Sequence, residues 1–414
     1  MNQRFESIDH PARAVAWIAD LTARFPRRAP ASADERGLQE ALAERYAAAG
    51  LEVSWHRFSF GTHLYANLLL HFGLALVATA IGLVQPLYGG LLHLFVATSY
   101  FLDATHRAFL LRRLLPWRPS QNLIARLPAD GAPALRVVIP CHADTAYTGI
   151  IFSPRLAEGG AKGPLRKPLA VATGSLLLLA LIELLHAAAD HRQPWWVVVP
   201  LSIPALLVTL GNLDVVLRNR IVPGAADNTS GLAAMIILAE RLLVRRDPRV
   251  EYLFVATGCE EASLGGATML ARDRAAAWPR ETTLILALDG CSNGDLRYLE
   301  EGEMFTTPVH PALVQCIEAT AASDARFAAM KKLPVPVGGS DAAVFAGRGY
   351  EAVALSRVDA VTSVPREYHL PTDTADRLNG EEIVVSADFA EGLIARWVTS
   401  RIGAPLSDGT EVGG

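Results

Sequence analysis

Val250-Glu251-Tyr252-Leu253-Phe254-Val255-Ala256-Thr257-Gly258-Cys259-Glu260-Glu261-Ala262-Ser263-Leu264-Gly265-Gly266 reads as a buried strand ending in two adjacent acids. The apolar run from Tyr252 to Ala256 has the length and the β-branched or aromatic character of a parallel-sheet strand. Thr257-Gly258 ends it, and Gly265-Gly266 opens the next segment. Two carboxylates at the mouth of a buried strand repel each other and resist desolvation. Cations must hold them there, or one of the two must keep a proton. In open α/β sheets the carboxyl ends of strands are where ligands sit. Taken alone, Glu260-Glu261 also fits a solvated turn, so the neighbouring segments decide.

On the amino-terminal side, Gly231 to Val244 predicts a helix before this strand. Beyond it, Thr282 to Leu288 and Ala352 to Leu355 predict further strands, Pro311 to Ala322 a helix, and Glu381 to Ile402 a closing helix. Upstream, Asn122 to Arg126 and Leu135 to Pro140 read as strands. Near the start, Ala12 to Arg24 is an amphipathic helix. Ser32-Ala33-Asp34-Glu35 supplies an N-cap and acidic first-turn residues for a second helix running to Ala49. Gly50 ends that helix, and Leu51 to Phe60 alternates like a strand. Strands alternating with helices imply a three-layer αβα sandwich with a mixed, mainly parallel sheet.

The chain has 414 residues, a formal net charge of -4 and 51% hydrophobic residues. No basic run is interleaved with aromatics, so nucleic acid is excluded as a partner. Cys141, Cys259, Cys291 and Cys316 show neither disulfide-scaffold nor zinc-finger spacing and read as reduced thiols. Met1 to His10 is polar and lacks a signal-peptide pattern.

The apolar excess lies in two places. Leu64 to Val84 carries no formal charge and is long enough for a ~30 Å hydrocarbon core at ~1.5 Å per residue. Gln85-Pro86 breaks it, and Leu87 to Leu102 is a second uncharged run. Leu169 to Ile182 and Trp195 to Leu213 form another pair, with Trp195-Trp196 where an aromatic belt would place them and Pro200 and Pro204 inside the last run. These pairs predict two inserted transmembrane helical hairpins, four spans in all. His71 and His93 inside them read as packing residues, and Glu183 and Asp214 as interfacial ones. The implied division is 1–62 and 117–150 as parts of one soluble domain, 63–116 and 151–222 as hairpins, 223–402 as the rest of the domain, and 403–414 as a flexible tail.

Five segments end a strand or begin a loop with a metal-type ligand: Cys141-His142-Ala143-Asp144, Gly224-Ala225-Ala226-Asp227-Asn228-Thr229-Ser230-Gly231, Glu260-Glu261, Leu288-Asp289-Gly290, and Tyr368-His369-Leu370-Pro371-Thr372-Asp373. Each alone is a common turn, cap or chance match. Together, imidazole and carboxylate suit Zn²⁺ where a position stays open for water. Two ions bridged by one carboxylate activate water and polarise a carbonyl, and a carboxylate that binds neither ion must carry the proton.

That order resembles the co-catalytic zinc peptidases of clan MH, which include bacterial leucyl aminopeptidases, glutamate carboxypeptidase and, with a changed site, glutaminyl cyclase. The resemblance covers residues 11–60, 120–150 and 223–402. It implies a zinc aminopeptidase-like fold, two Zn²⁺ ions and a peptide or N-acylated amino-acid-like substrate. By that resemblance His142 and Asp289 bind one metal, Glu261 and His369 the other, and Asp227 bridges both. Glu260 is the general base, Asp144 orients His142, Tyr368 donates to the oxyanion, and Ser340-Asp341 is a substrate-side loop.

The chain departs from the family between His142 and Asp227, where a hairpin replaces a short loop. The expectation is a membrane-integral metallohydrolase in a bacterial-type inner membrane. Its catalytic domain is expected to face the cytoplasm, because Arg107, Arg112, Arg113, Arg118, Arg155, Lys162, Arg166, Lys167, Arg218 and Arg220 flank the domain side of the spans and only Arg192 lies at the opposite tips. A glutaminyl-cyclase-like aminoacyl cyclase and a non-catalytic membrane scaffold are the alternatives. The sequence leaves the substrate and the oligomeric state open.

Overall fold

The structure, a computed structural model, describes residues 6–156, 167–191, 193–274 and 276–403. Lys162, Arg166, Arg192 and residues 404–414 of the expected 403–414 tail lie outside the described residues.

Eight strands form one sheet: β1 (Glu52–Gly61), β2 (Trp117–Leu127), β3 (Leu135–His142), β4 (Val250–Thr257), β5 (Thr283–Leu288), β6 (Asp295–Glu300), β7 (Lys331–Pro334) and β8 (Glu351–Val358), in the order β1-β2-β4-β3-β5-β8-β6-β7. The central strands β4, β3, β5 and β8 run parallel. The β1–β2, β2–β4 and β8–β6 pairings are antiparallel. The apolar run before the two acids is strand β4, buried along its whole length. After β3 the chain places β4 on one side and β5 on the other. The carboxyl end of β3 is therefore the switch point where such sheets bind ligands.

Alternate strand residues feed two cores. Val137, Ile139, Tyr252, Phe254, Leu284 and Leu286 face one helical layer, made by α1 (Pro11–Arg24), α2 (Ala33–Ala48), the helices Gly231–Arg245 and Pro311–Ala321, and Gly380–Ile402. Val138, Leu253, Val255 and Ile285 face the other, made by Gly265–Arg274 and Asp341–Ala346. The fold is a mixed sheet flanked by helices. The strands β6 and β7 and the helix opening at Gly265-Gly266 are additions to the expected elements; β7 is short and mostly exposed, so it lacks a hydrophobic period.

Four further helices, α3 (Leu64–Gly82), α4 (Pro86–Ala104), α5 (Pro168–Ala188) and α6 (Trp195–Arg218), pack together around their own core of Leu68, Phe72, Val96, Tyr100, Leu176 and Val198. Among the described residues three of them, α3, α5 and α6, are long and apolar enough to cross a membrane. The expected fourth span, α4, forms as a helix but is not among the three. Gly89, Gly90, His93, Ser99 and Asp103 give it a more polar face, which it buries against its neighbours.

The bundle exposes apolar side chains, and its apolar core also encloses a few polar ones. Val84, Leu177, Leu185, Trp195, Trp196, Leu207 and Leu217 are exposed. Inside, one polar chain takes a side chain from each helix. His93 Nδ1 meets Glu183 Oε2 at 2.7 Å, and Thr79 Oγ1 meets both His93 Nε2 at 3.2 Å and Ser202 Oγ at 3.0 Å. Glu183 is fully buried, so the expectation that it reaches an interface is overturned: its partner His93 lies inside, and Gly82 leaves the space that its carboxylate fills. His71 is held by Asn67 O and Ser99 Oγ, as a packing residue would be.

Candidate active site

The site gathers at the carboxyl ends of β3, β4 and β5. His142 is the last residue of β3, Glu260 and Glu261 come after β4, and Asp289 comes after β5. Asp227 comes from the turn before Gly231–Arg245, and His369 from the loop after β8. All are buried except Asp289, which is partly open.

His142 Nδ1 lies 3.1 Å from the backbone carbonyl of Asp144. That bond places a proton on Nδ1 and turns Nε2 toward the cluster of acids. Nε2 faces Asp227 Oδ1 at 3.0 Å, Asp289 Oδ1 at 3.5 Å and Glu260 Oε2 at 4.0 Å. On the far side, His369 Nε2 lies 3.3 Å from Asp227 Oδ2 and 3.5 Å from Glu261 Oε1. Asp227 thus presents one oxygen to each imidazole. Two triads have ligand atoms within 4.8 Å of one another: His142, Asp227 and Glu261, and His142, Glu260 and Asp289. Distance alone therefore groups Glu260 with potential ligands.

The backbone around these groups is costly and well supported. Cys259, Ser263, Leu264 and His369 all have positive φ, at 55°, 84°, 55° and 54°. Such positions cost about 1–3 kcal/mol each and persist where surrounding contacts over-determine them. The Asp144 carboxylate accepts from the N–H groups of Glu260 and Glu261, at 3.1 and 3.0 Å. It orients His142 through its carbonyl, while its side chain holds the loop of the two acids. Glu35 accepts from Cys259 N at 2.7 Å, and Asn122 from Gly258 N at 3.0 Å.

Three supporting roles carry no signal in the sequence. The Asp373 carboxylate accepts from Ala226 N and Asp227 N, at 2.7 and 3.1 Å, and so holds the turn of Asp227. Arg28, fully buried, donates to the carbonyls of Ala143, Pro223 and Gly224, tying the His142 and Asp227 loops together. Glu35, by its spacing only a first-turn helix residue, is the third. Gly224 is required by its φ of 67° and by Thr145, which leaves no room for a Cβ.

The electrostatics are those of crowded acids. Burial, with the charges of Glu261 and Asp289, pushes Glu260 well above the usual carboxylate range against the opposing pull of His142. Burial and the charge of Asp227 push Glu261 up to about 8. Burial works against protonation of His142, but Glu260, Asp227 and Asp289 outweigh it and hold the imidazole well above its ordinary value. Glu261 Oε1 and His369 Nδ1 are buried without a hydrogen-bond partner. Four carboxylates and two imidazoles, with an orphaned oxygen aimed inward, fit divalent cations with nitrogen and oxygen preferences.

Burial and the charges of Asp227 and Glu261 hold the Tyr368 phenol well above its usual pKa, as a neutral donor. Its ring stacks on His369 at 3.8 Å between centroids. Phe152 covers the same imidazole at 4.5 Å. Ser340 caps Asp341–Ala346 and donates to Glu301, and Asp341 accepts from Thr257 Oγ1 at the end of β4. That places the Ser340-Asp341 loop beside the strand end that leads to Glu260.

Residues 204–393 match Peptidase family M28. The M28 match spans Asp227, Glu260, Glu261, Asp289, Ser340, Asp341, Tyr368 and His369; His142 and Asp144 lie before it. No curated protein matches the chain. The fold is similar to that of a zinc aminopeptidase from Bacillus subtilis, at TM-score 0.56 and 14% identity over 95% of this chain and 96% of that one. An aminopeptidase from Aneurinibacillus sp. strain AM-1 gives 0.55 and 14% over 94% of each chain. Glutaminyl cyclase from Porphyromonas gingivalis gives 0.54 and 12%, over 93% of this chain and 97% of that one. The fold is zinc aminopeptidase-like, and the M28 match supports a peptidase-type enzyme.

Proposed function

We propose that the chain is a membrane-integral dinuclear zinc metallohydrolase that cleaves a peptide or other amide bond, in the manner of an exopeptidase. The observation that carries this reading is the convergence of His142, Asp227, Glu260, Glu261, Asp289 and His369 on one buried centre, with both Nε2 atoms facing Asp227. His142 and Asp289 would hold one ion, Glu261 and His369 the other, and Asp227 both. Zinc bound there supplies Lewis-acid polarisation of the amide and acidifies water. Glu260, the acid left over in this assignment, takes the water proton and returns it to the leaving nitrogen. The Tyr368 phenol donates to the carbonyl oxygen as negative charge develops there. Ser340 and Asp341 shape the substrate side. A glutaminyl-cyclase-like reading draws on the cyclase fold neighbours and would need one ion; a non-catalytic scaffold would need none.

The membrane part of the proposal rests on the bundle. Its outer surface is apolar, and Thr79, His93, Glu183 and Ser202 pair inside it, as lipid favours. The catalytic domain is proposed to face the cytoplasm. Arg107, Arg113, Arg118, Arg155, Lys167, Arg218 and Arg220 lie toward the domain end of the helices in sequence, as positive-inside flanks would. Arg112, expected among these flanking charges, is instead fully buried against Asp103 and does not count. Gln85 is exposed at the tip between α3 and α4. The nearby Gly89 is unsuitable as a probe site because Gly82 occupies the space of its side chain. Gln85→Cys should react with an impermeant thiol reagent from outside intact cells, and a cysteine at an exposed catalytic-domain position should not. The reverse pattern would invert the orientation.

The aromatic wall beside His369 suggests the substrate. Phe152 contacts His369 and Tyr368, and Tyr65 in the first turn of α3 contacts Phe152 and Tyr147. The bundle thus delivers apolar surface to the metal centre. A substrate with an apolar chain could remain in lipid and present its amide, each buried CH₂ contributing about 0.8 kcal/mol. The test is a series of N-acyl amino acids and hydrophobic peptides of increasing chain length in nanodiscs, with chelator controls. Chelator-sensitive cleavage whose kcat/KM rises with chain length is expected. Best cleavage of short soluble peptides would leave the bundle as an anchor, and no amide cleavage at all would remove the proposed activity.

A further inference from the structure

We propose that Arg112 is a positioning residue for the loop of Glu260 and Glu261, and that through it the helical bundle sets the geometry of the catalytic centre. The N–H groups of Gly258, Cys259, Glu260 and Glu261 are held in turn by Asn122, Glu35 and Asp144, all from the sandwich. The next residue, Ala262, is held from the other direction. Its carbonyl accepts from Arg112 Nη1 at 2.7 Å, and the same nitrogen donates to Gly61 O at the end of β1, at 3.1 Å.

The other edge of the guanidinium grips the bundle. Nε and Nη2 donate to the Asp103 carboxylate at 2.9 and 2.7 Å. Asp103 stands at the end of α4 and also accepts from Asn67 of α3, at 3.3 Å. Arg112 and Asp103 are both buried, and the rings of Phe60 and Phe109 lie 5.3 and 5.5 Å from the guanidinium carbon. One planar fork thus connects two bundle helices, the sheet edge and the residue after Glu261. Lysine can offer a charge to Asp103, but it cannot make that paired grip and also span to Ala262 and Gly61. The loop contains three residues at positive φ, so it depends on contacts of this kind.

This inference rests on the roles proposed for Glu260 and Glu261. Its test uses the full-length protein in nanodiscs, with Arg112→Lys and the double variant Asp103→Glu/Arg112→Lys. The longer carboxylate brings the ion pair closer without restoring the reach to Ala262. Rates are expressed per zinc-loaded, monodisperse molecule, so any misfolded fraction drops out. For both variants the expected result is zinc affinity about 10–100-fold weaker, as when a group that supports a metal ligand is lost. At saturating zinc, kcat should be at least about tenfold lower with KM within about twofold. The double variant should regain thermal stability without regaining kcat. Wild-type kcat and zinc affinity in either variant, or recovery of kcat together with stability in the double variant, would show that Arg112 only braces the fold. If the wild type cleaves no amide, the proposed activity fails, and the zinc-affinity comparison still decides the role of Arg112.

Discussion

Glu260→Gln is expected to lower kcat by about 10²–10⁴-fold while the protein keeps its full zinc content. That range corresponds to roughly 3–5 kcal/mol of barrier. The expectation comes from position. Glu260 lies 4.0 Å from His142 Nε2, beyond the 3.0 Å at which Asp227 meets the same atom, and its N–H is fixed by Asp144. A carboxylate so placed can face the water and the leaving nitrogen without being needed as a ligand. Glutamine keeps the size and the backbone contact but cannot accept the proton. Because one of the two triads includes Glu260, the zinc measurement is what separates base from ligand. Loss of zinc along with activity would make Glu260 a ligand; unchanged turnover would remove it from the mechanism.

Asp227→Ala is expected to do the opposite, losing metal first. Its two oxygens face His142 and His369 separately, and its backbone is held by Asp373. Removing it would deprive both ions of a ligand. The loss of zinc affinity should exceed the roughly 10–100-fold typical of changes to groups that only support a ligand. An Asp227→Ala protein with wild-type zinc content and turnover would rule out the bridging assignment.

Much of the sandwich could be read from the sequence because buried parallel strands are continuous apolar runs: β3, β4, β5 and β8 each carry one. The residues at their carboxyl ends could be picked out because acids and histidines there oppose the hydrophobic pattern. The partnerships could not. Glu183 looks interfacial because it ends an apolar run, yet its partner His93 comes from the other hairpin. Arg112 looks like a membrane-surface charge because it sits in a basic segment, yet Asp103 and Ala262 enclose it. Asp144 reads as the residue that orients His142; its carbonyl meets Nδ1, and its carboxylate also holds the N–H groups of the two acids after β4, a contact no spacing shows. Asp373 and Arg28 act on backbone groups distant in sequence, and no spacing reveals such contacts.

Whether the centre holds two ions is read most directly as zinc per chain in the purified wild-type protein after dialysis against trace zinc. Two zinc ions per chain are expected, both removed by chelation together with amide-cleaving activity and both restored with it. One ion per chain would favour the cyclase-like reading, and none would contradict a metal-dependent site at His142, Asp227, Glu261, Asp289 and His369.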